Sequence, residues 1–446
     1  MNTNPDALLT DLYQLTMLKG YFDRQMNGTA VFEFFVRRLP ENRNFLVAAG
    51  LEQALEFLEN FHFTDDEINW LGEEQNFPPD FLNSLRQLRF NGDVDAMPEG
   101  TLFWENEPIL RVTAPLPIAQ LVETRLINLL QLSTMIASKA ARCVLAAPGK
   151  NLVEFGLRRT HGAEAGMMAA RATYLAGFAG TSNVLAGKQF GIPLFGTVAH
   201  AFIQAHGDEQ EAFEHFARSN PNNVVFLLDT FDTLAAARKV VALAAKLRAE
   251  NIAVRAGRLD SGDLAALARE VRAILDAGGL KEVRILASGN LEENELQRLT
   301  ATGAPIDGFG VGTRVVTSWD MPYLECAYKL MEYDGKPSRK YSEGKKTWPG
   351  PKQVFRKLDA DGIPAGDTLT LEGDALAGEP MLQPVMRAGK RVGTWPSLAE
   401  VRQRTVNALE RLPKPSISLK RKAEYPVGIS PKLQQLSEEM DRLRGA

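Results

Sequence analysis

Between residues 151 and 317 the chain alternates short apolar runs with longer stretches whose apolar residues recur at helical spacing. The runs at 152–155, 194–197, 224–228, 252–256, 283–287 and 306–310 predict buried strands. The stretches at 163–176, 208–218, 233–250, 264–277 and 292–300 predict the amphipathic helices between them. Asp208…Glu211 and Ser261…Leu264 supply starts for two of these helices. Strands alternating with helices in this way imply a parallel sheet covered by helices, either an open sheet or a (β/α) barrel.

The flanks follow other rhythms. Asn4-Pro5-Asp6 reads as a helix start leading into a periodic segment at 8–22, and 29–38 (TAVFEFFVRR) reads as a strand. Helices are expected at 51–61 and 65–71, the second opened by a Thr64…Glu67 capping box. Short strand pieces at 94–112, broken by Pro98, Gly100 and Pro108, precede a long helical stretch at 115–147 that is too irregular for a coiled coil. After 317 the alternation stops. Residues 323–333 and 339–342 around Asp334-Gly335 predict a hairpin. The basic segment 344–356 (GKKTWPGPKQVFR) is either a solvated surface or a phosphate-facing flap, and helices at 396–412 and 431–443 close the chain. Both terminal parts mix α and β, so they are expected to pair into one discontinuous domain.

Composition narrows the class. With 446 residues the chain is long enough for two or three domains, and 45% hydrophobic with 24% charged residues is ordinary for a globular protein. A net charge of -4 offers no general attraction for nucleic acid or an anionic membrane, although it leaves room for a local basic pocket. Cys143 and Cys326 lie in apolar settings without CxxC spacing, which points to a reducing, cytoplasmic compartment and no disulfide framework. The opening MNTNPDALLTDLYQ lacks a basic segment followed by an apolar core, so no signal peptide is expected, and no apolar run approaches a membrane span.

The polar residues follow the predicted strands: Glu154, Thr197 with His200, Asp229 with Asp232, Arg258 with Asp260 and Asp263, Ser288-Gly289-Asn290, and the turn at 310–313. Carboxyl ends of parallel strands share one rim, where ligands bind in both parallel architectures. Helix caps explain one or two of these sites, but not the recurrence of Arg, His and Gly-rich turns. The glycines of 308–313 (GFGVGT) let backbone N–H groups approach a phosphate, though the segment is neither a Walker sequence nor a full GxGxxG. Arg158 and Arg159 offer adjacent guanidinium groups for phosphate or carboxylate. His200 is either a core histidine or one that moves a proton or carries a phosphoryl group. Tyr13 is either a core residue or a flat face offered to a ligand. His62, His161, His206 and His215 show no metal spacing, and no metal ligands are assigned. Together the rim suggests a substrate bearing phosphates and sugar hydroxyls.

The segments TDLYQLTM (10–17), EFGLRR (154–159), GTSNVLAGKQFGIPLFGTVAH (180–200), LDTFDT (228–233), RLDSGDL (258–264), SGNL (288–291) and FGVGTRVVT (309–317) occur in the order in which they stand in nicotinate phosphoribosyltransferases, and the chain resembles that family over roughly its first three-quarters. The resemblance implies an α/β fold of the type II phosphoribosyltransferases. An irregular, incomplete (β/α) barrel at 131–320 would stand beside an α+β domain built from 1–130 and 321–446. It implies a homodimer with active sites near the subunit interface. It also implies a reaction: nicotinate and phosphoribosyl pyrophosphate give nicotinate mononucleotide and pyrophosphate, with ATP as hydrolysed co-substrate and Mg²⁺ accompanying the phosphates.

By the same resemblance His200 is the phosphorylated histidine, and Tyr13, Thr197 and Arg258 contact nicotinate. Thr313, Gly312, Arg158 and the turn Ser288, Gly289 and Asn290 meet the phosphoribosyl donor or the product phosphate. Asp229 and Asp260 lie where relatives hold ribose, ring or metal-bound pyrophosphate. One departure is Ala201, where the family usually has Ser after the histidine. Two other readings are a nicotinamide-preferring enzyme and a non-catalytic nucleotide-sensing barrel. Arg158-Arg159 and the GTSNV wording argue against the first; His200, Arg258 and the Gly-rich turn argue against the second.

Overall fold

A computed structural model describes residues 7–420 and 425–443. The predicted helix start at Asn4-Pro5-Asp6 lies outside the described residues. The chain divides into two compact units, one of residues Ser138–Pro322 and one of Met1–Ala137 with Tyr323–Ala446.

The unit at 138–322 is a parallel half-barrel sheet of six strands, numbered here along the chain: β1 (Asn151–Glu154), β2 (Gly180–Thr181), β3 (Val224–Leu227), β4 (Val254–Leu259), β5 (Arg284–Ala287) and β6 (Gly308–Val311). Their order is β2-β1-β6-β5-β4-β3, and every pairing is parallel. β3 and β6 are buried along their whole length, as near-continuous apolar runs require in a sheet covered on its faces. The helices Ala163–Leu175, Glu209–Ser219, Thr233–Ala249, Leu264–Ala277 and Glu293–Ala301 follow the predicted spacing within a residue or so. Asp208 caps its helix by accepting from the Glu211 N–H at 2.9 Å. At 264–277 the cap is Asp263, which accepts from Ala265 and Ala266 N–H, and not Ser261.

One predicted strand does not form. Residues 194–197 make a single parallel bridge, Leu194 to Thr181, and Leu194 and Phe195 are exposed. A ladder there could begin only beside β2, which is two residues long, and Pro193 lacks a donor. A Cβ on Gly180 would stand 2.2 Å from the Pro193 carbonyl oxygen, so this close approach requires glycine. Two seven-residue helices, Val184–Phe190 and His200–His206, flank the bridge.

The other unit is built on a seven-stranded antiparallel sheet in the order Lys336–Pro337, Cys326–Tyr333, Thr29–Val36, Pro108–Pro115, Asp93–Ala96, Gln383–Arg387, Lys390–Arg391. Chain from both ends thus meets in one sheet. Thr29–Val36 is buried at all but its first residue. Its one charge, Glu33, pairs with Lys352 at 2.9 Å. The Asp334-Gly335 turn has φ of +51° and +73°, as a two-residue hairpin demands, but its second strand is Lys336–Pro337 and not 339–342. The Thr64…Glu67 capping box is formed. The stretch at 115–147 is two helices, Leu116–Leu121 and Glu123–Ala146, separated at Val122. In the basic segment, Lys352 and Arg356 are buried against Glu33 and Asp367, so those two cations serve the unit's interior. Among the described residues, no helix is long and apolar enough to cross a membrane.

Candidate active site

Every parallel strand of the half-barrel ends in polar residues on the same rim. β1 ends on Glu154, buried, whose carboxylate accepts from the Thr181 hydroxyl at 2.5 Å and from the Gly156 N–H. Burial raises the Glu154 carboxyl above its ordinary value, and these two donors only partly offset it. β2 ends on that same Thr181. Asp229 and Thr230 follow β3, Asp260 follows β4, Ser288-Gly289-Asn290 follows β5, and Gly312 follows β6.

Arg258, the penultimate residue of β4, joins several of these groups. Its side chain is 15% exposed, and Nη2 donates to the Val198 carbonyl at 2.9 Å, fastening the segment that carries Thr197 and His200. Nη1 lies 3.7 Å from Asp260 Oδ1. Burial lowers the guanidinium's pKa and nearby Arg158 lowers it further, against the pull of Asp260 and Asp229. An arginine stays charged under such pressure. Asp260 Oδ1 also accepts a short hydrogen bond from Ser288 Oγ, and Asp229 Oδ2 accepts from Ser261 Oγ at 2.5 Å and from Asp260 N–H at 3.3 Å.

Two buried atoms in this network have no partner: Asp229 Oδ1 and Arg258 Nε. A buried acceptor on a carboxylate and a buried donor on a guanidinium are costly to leave unpaired, and sites that receive polar ligands hold such groups ready.

His200 is the first residue of His200–His206, half-buried, with Nδ1 3.1 Å from Thr230 Oγ1. It therefore opens a helix, three residues after the run at 194–197. Ala201 is exposed beside it. Thr197, half-buried, donates to the Val198 carbonyl at 3.3 Å.

The phosphate-suited turns are shaped by close packing. Gly289 has φ +101°, and a Cβ there would stand 2.1 Å from the Asp260 carbonyl oxygen. A Cβ on Gly310 would meet the Phe155 ring at 2.4 Å, and one on Gly156 would meet Val316 at 2.5 Å. Thr313 begins the short helix Thr313–Val316 and is exposed, as are Arg158 and Arg159 in the turn Leu157–Arg159. Asn290, at φ +50°, completes the turn after β5.

Tyr13 belongs to the other unit, on the helix Leu12–Asp23, and is 48% exposed. Gln14 Nε2 donates to its hydroxyl at 2.9 Å, and Gln14, Gln120 and Lys329 converge on Glu123 at 3.0, 2.8 and 3.1 Å. Tyr13 is thus a surface aromatic held from behind by a polar cluster. Burial of its phenol, then the Glu123 charge, raises its pKa.

Sequence reasoning missed Thr230, Ser261 and the Val198 carbonyl. The two hydroxyls lie within LDTFDT (228–233) and RLDSGDL (258–264) and are legible there as rim residues. A backbone carbonyl leaves no signal. Among the described residues, no cluster of three or more His, Cys, Asp or Glu could hold a metal by itself.

Comparison with known proteins gives a consistent result. Three sequence families match: the nicotinate phosphoribosyltransferase N-terminal domain over residues 8–131, the nicotinate phosphoribosyltransferase family over 150–342 and the nicotinate phosphoribosyltransferase C-terminal domain over 375–437. A nicotinate phosphoribosyltransferase of Mycobacterium tuberculosis is 47% identical over 442 residues, covering 99% of this chain and 94% of its own. One from Bacillus subtilis is 43% identical over 79% of this chain and 73% of its own. The crystal structure of human nicotinic acid phosphoribosyltransferase superposes with a TM-score of 0.87 at 31% identity, covering 97% of this chain and 99% of that one. A nicotinate-nucleotide pyrophosphorylase from Pyrococcus furiosus superposes at 0.75 with 26% identity, over 91% and 95% of the two chains.

Proposed function

The chain belongs to the nicotinate phosphoribosyltransferase family, and from that premise we propose how its rim residues divide the work of joining nicotinate to phosphoribosyl pyrophosphate in NAD biosynthesis. The observation that carries the proposal is the buried Arg258 guanidinium with an unpaired Nε, held between the Val198 carbonyl and Asp260. It is a cation of fixed position with donor capacity to spare, which suits a pyridine carboxylate.

Breaking the bond from the anomeric carbon to pyrophosphate develops oxocarbenium character at that carbon, as in glycosyl transfer generally. The pyridine nitrogen of nicotinate is itself the nucleophile, so no residue need remove a proton. What the chain supplies is position and charge. Arg258 and Thr197 orient the acid. Gly312, Thr313, Arg158 and the Ser288-Gly289-Asn290 turn receive phosphate oxygens. Asp229 and Asp260 face the ribose and the leaving pyrophosphate. The donor set fits Mg²⁺ that arrives with the substrate: two carboxylates, one with a buried unpaired oxygen. When bound, that ion would neutralise charge on the departing pyrophosphate.

His200 is read as the acceptor of a phosphoryl group from ATP, coupling hydrolysis to synthesis. The added charge and acceptor oxygens would reorganise the segment that Arg258 fastens. Ala201 removes the hydroxyl that the family usually carries next to this histidine, and Thr230 Oγ1 is the one that remains beside the ring.

The six-stranded sheet is read as an incomplete (β/α) barrel. Its order is that of a ring cut between β2 and β3, with β6 closing onto β1. Beside the cut, Val184 is 71% exposed and Leu185, Leu194 and Phe195 are also exposed, with Phe231 on the rim. Such a patch supports a homodimer. Two free cysteines support the cytoplasm as compartment.

The decisive experiment follows product from nicotinate or nicotinamide with phosphoribosyl pyrophosphate, with and without ATP. Nicotinate mononucleotide, made faster with ATP, is expected. Faster turnover of nicotinamide, or of neither base, would overturn the reading.

A further inference from the structure

Glu292 stands two residues after the Ser288-Gly289-Asn290 turn and precedes the helix Glu293–Ala301. Its carboxylate is 8% exposed and reaches three donors. Oε1 accepts from Arg314 Nη1 at 3.2 Å. Oε2 accepts from Lys139 Nζ at 3.1 Å and from Trp319 Nε1 at 2.5 Å. Arg314 is the neighbour of Thr313, and its guanidinium lies 4.9 Å from the centre of the Trp319 ring.

Behind Glu292 the cluster continues. Lys139, with a side chain 1% exposed, also pairs with Glu293 at 2.7 Å and Asp320 at 2.9 Å. Arg142 pairs with Glu293 at 2.9 Å. Three carboxylates thus meet three cations. Stability alone is a weak reason to keep such a buried set, because well-packed apolar residues serve as well or better.

Close packing at Gly289 and Gly310 sets each turn against its own neighbours, and the Glu292–Arg314 pair adds a side-chain link from one turn to the other. Donors aimed at a phosphate act only when held in place beforehand. Glu292 follows the first turn, and its partner Arg314 follows the second.

We propose that Glu292 is a positioning residue: through Arg314 and Lys139 it sets the spacing between the turns after β5 and β6, so that both present their donors to one phosphate-bearing substrate. This rests on the reading of that rim as the phosphoribosyl pyrophosphate site.

The test measures phosphoribosyl pyrophosphate binding to the full chain by calorimetry with Mg²⁺, alongside steady-state kinetics. Glu292→Gln and Arg314→Gln are each expected to weaken binding and raise the KM for this substrate about tenfold or more, with nicotinate KM changed less than about threefold. The double variant should be no worse than the weaker single one, because the two residues act as a unit. Glu293→Gln is the control. It removes charge from the same buried set at the Lys139 and Arg142 end, and should lower the melting temperature while leaving affinity within about twofold. Unchanged affinity in both test variants, or equal weakening by Glu293→Gln, would reduce the cluster to scaffolding and overturn the inference. A wild-type chain that binds no phosphoribosyl pyrophosphate would overturn the reading of the rim itself. Should Glu292→Gln fail to fold, Arg314→Gln carries the test, since that side chain is 38% exposed.

Discussion

The Nδ1 of His200 lies 3.1 Å from the hydroxyl oxygen of Thr230, on the loop that also carries Asp229. This contact orients the imidazole and leaves Nε2 as the nitrogen free of it. When Nδ1 carries the proton and donates to Thr230, Nε2 has the lone pair a phosphoryl acceptor needs. Thr230→Val keeps the shape and removes the oxygen. Labelled phosphate incorporated from ATP should fall about tenfold, and His200→Asn should abolish it. Wild-type labelling in the valine variant would mean that Thr230 does not set the ring.

Arg258 makes a second prediction, because its fork and its charge can be separated. Lysine keeps the charge, but its single nitrogen replaces the planar fork in which Nη2 holds the Val198 carbonyl while other nitrogens face a carboxylate. A charge-assisted hydrogen bond contributes about 1.5–3 kcal/mol, so Arg258→Lys should raise nicotinate KM by roughly 10- to 100-fold. The KM for phosphoribosyl pyrophosphate should move far less. Equal rises in both would place Arg258 in general scaffolding.

Gly289 tests the turn after β5. With φ +101° and the Asp260 carbonyl 2.1 Å from any Cβ, alanine must displace that turn or the strand end beside it. Gly289→Ala should cost at least about 2 kcal/mol, a fall in melting temperature of roughly 4–8 °C. Gly207, at φ +74° with open space around it, provides the comparison. Gly207→Ala bears only the backbone cost of about 1 kcal/mol. Equal melting of the two variants would contradict the close-packing argument.

Much of this architecture is legible along the chain because parallel strands are short, apolar and followed by polar residues on one rim. Leu264–Ala277 matches its periodicity without adjustment. The failures have local causes. Residues 194–197 have a strand's composition but only a two-residue neighbour to pair with. Val184–Phe190 and His200–His206 are too short for helical periodicity to register. Lys139 sits inside a long apolar helix with its counter-charges some 150 residues away in sequence, as the separation of 153 from Glu292 illustrates. Pattern reveals which residues face inward. It does not reveal which distant charge they meet.

The pH response of Glu292 gives the last prediction. Burial by itself would raise its carboxyl, but the Trp319 indole N–H, the Lys139 ammonium and Arg314 together hold it below the ordinary 4.5. A carboxyl whose folded pKa lies below its unfolded one adds stability that is present above about pH 4.5 and is lost as pH falls through the folded value. Glutamine cannot ionise, so Glu292→Gln should be less stable than the wild type by about 1–3 kcal/mol at pH 7. The difference should shrink below about pH 4.5, where the wild-type unfolded chain takes up the proton first. Lys139 keeps its charge throughout this window: burial lowers its pKa, but Glu293 and Asp320 raise it by more. Urea unfolding of both proteins from pH 7 to pH 3 measures the difference directly. A gap that stays constant or widens on acidification would show that the Glu292 charge is not what these donors stabilise.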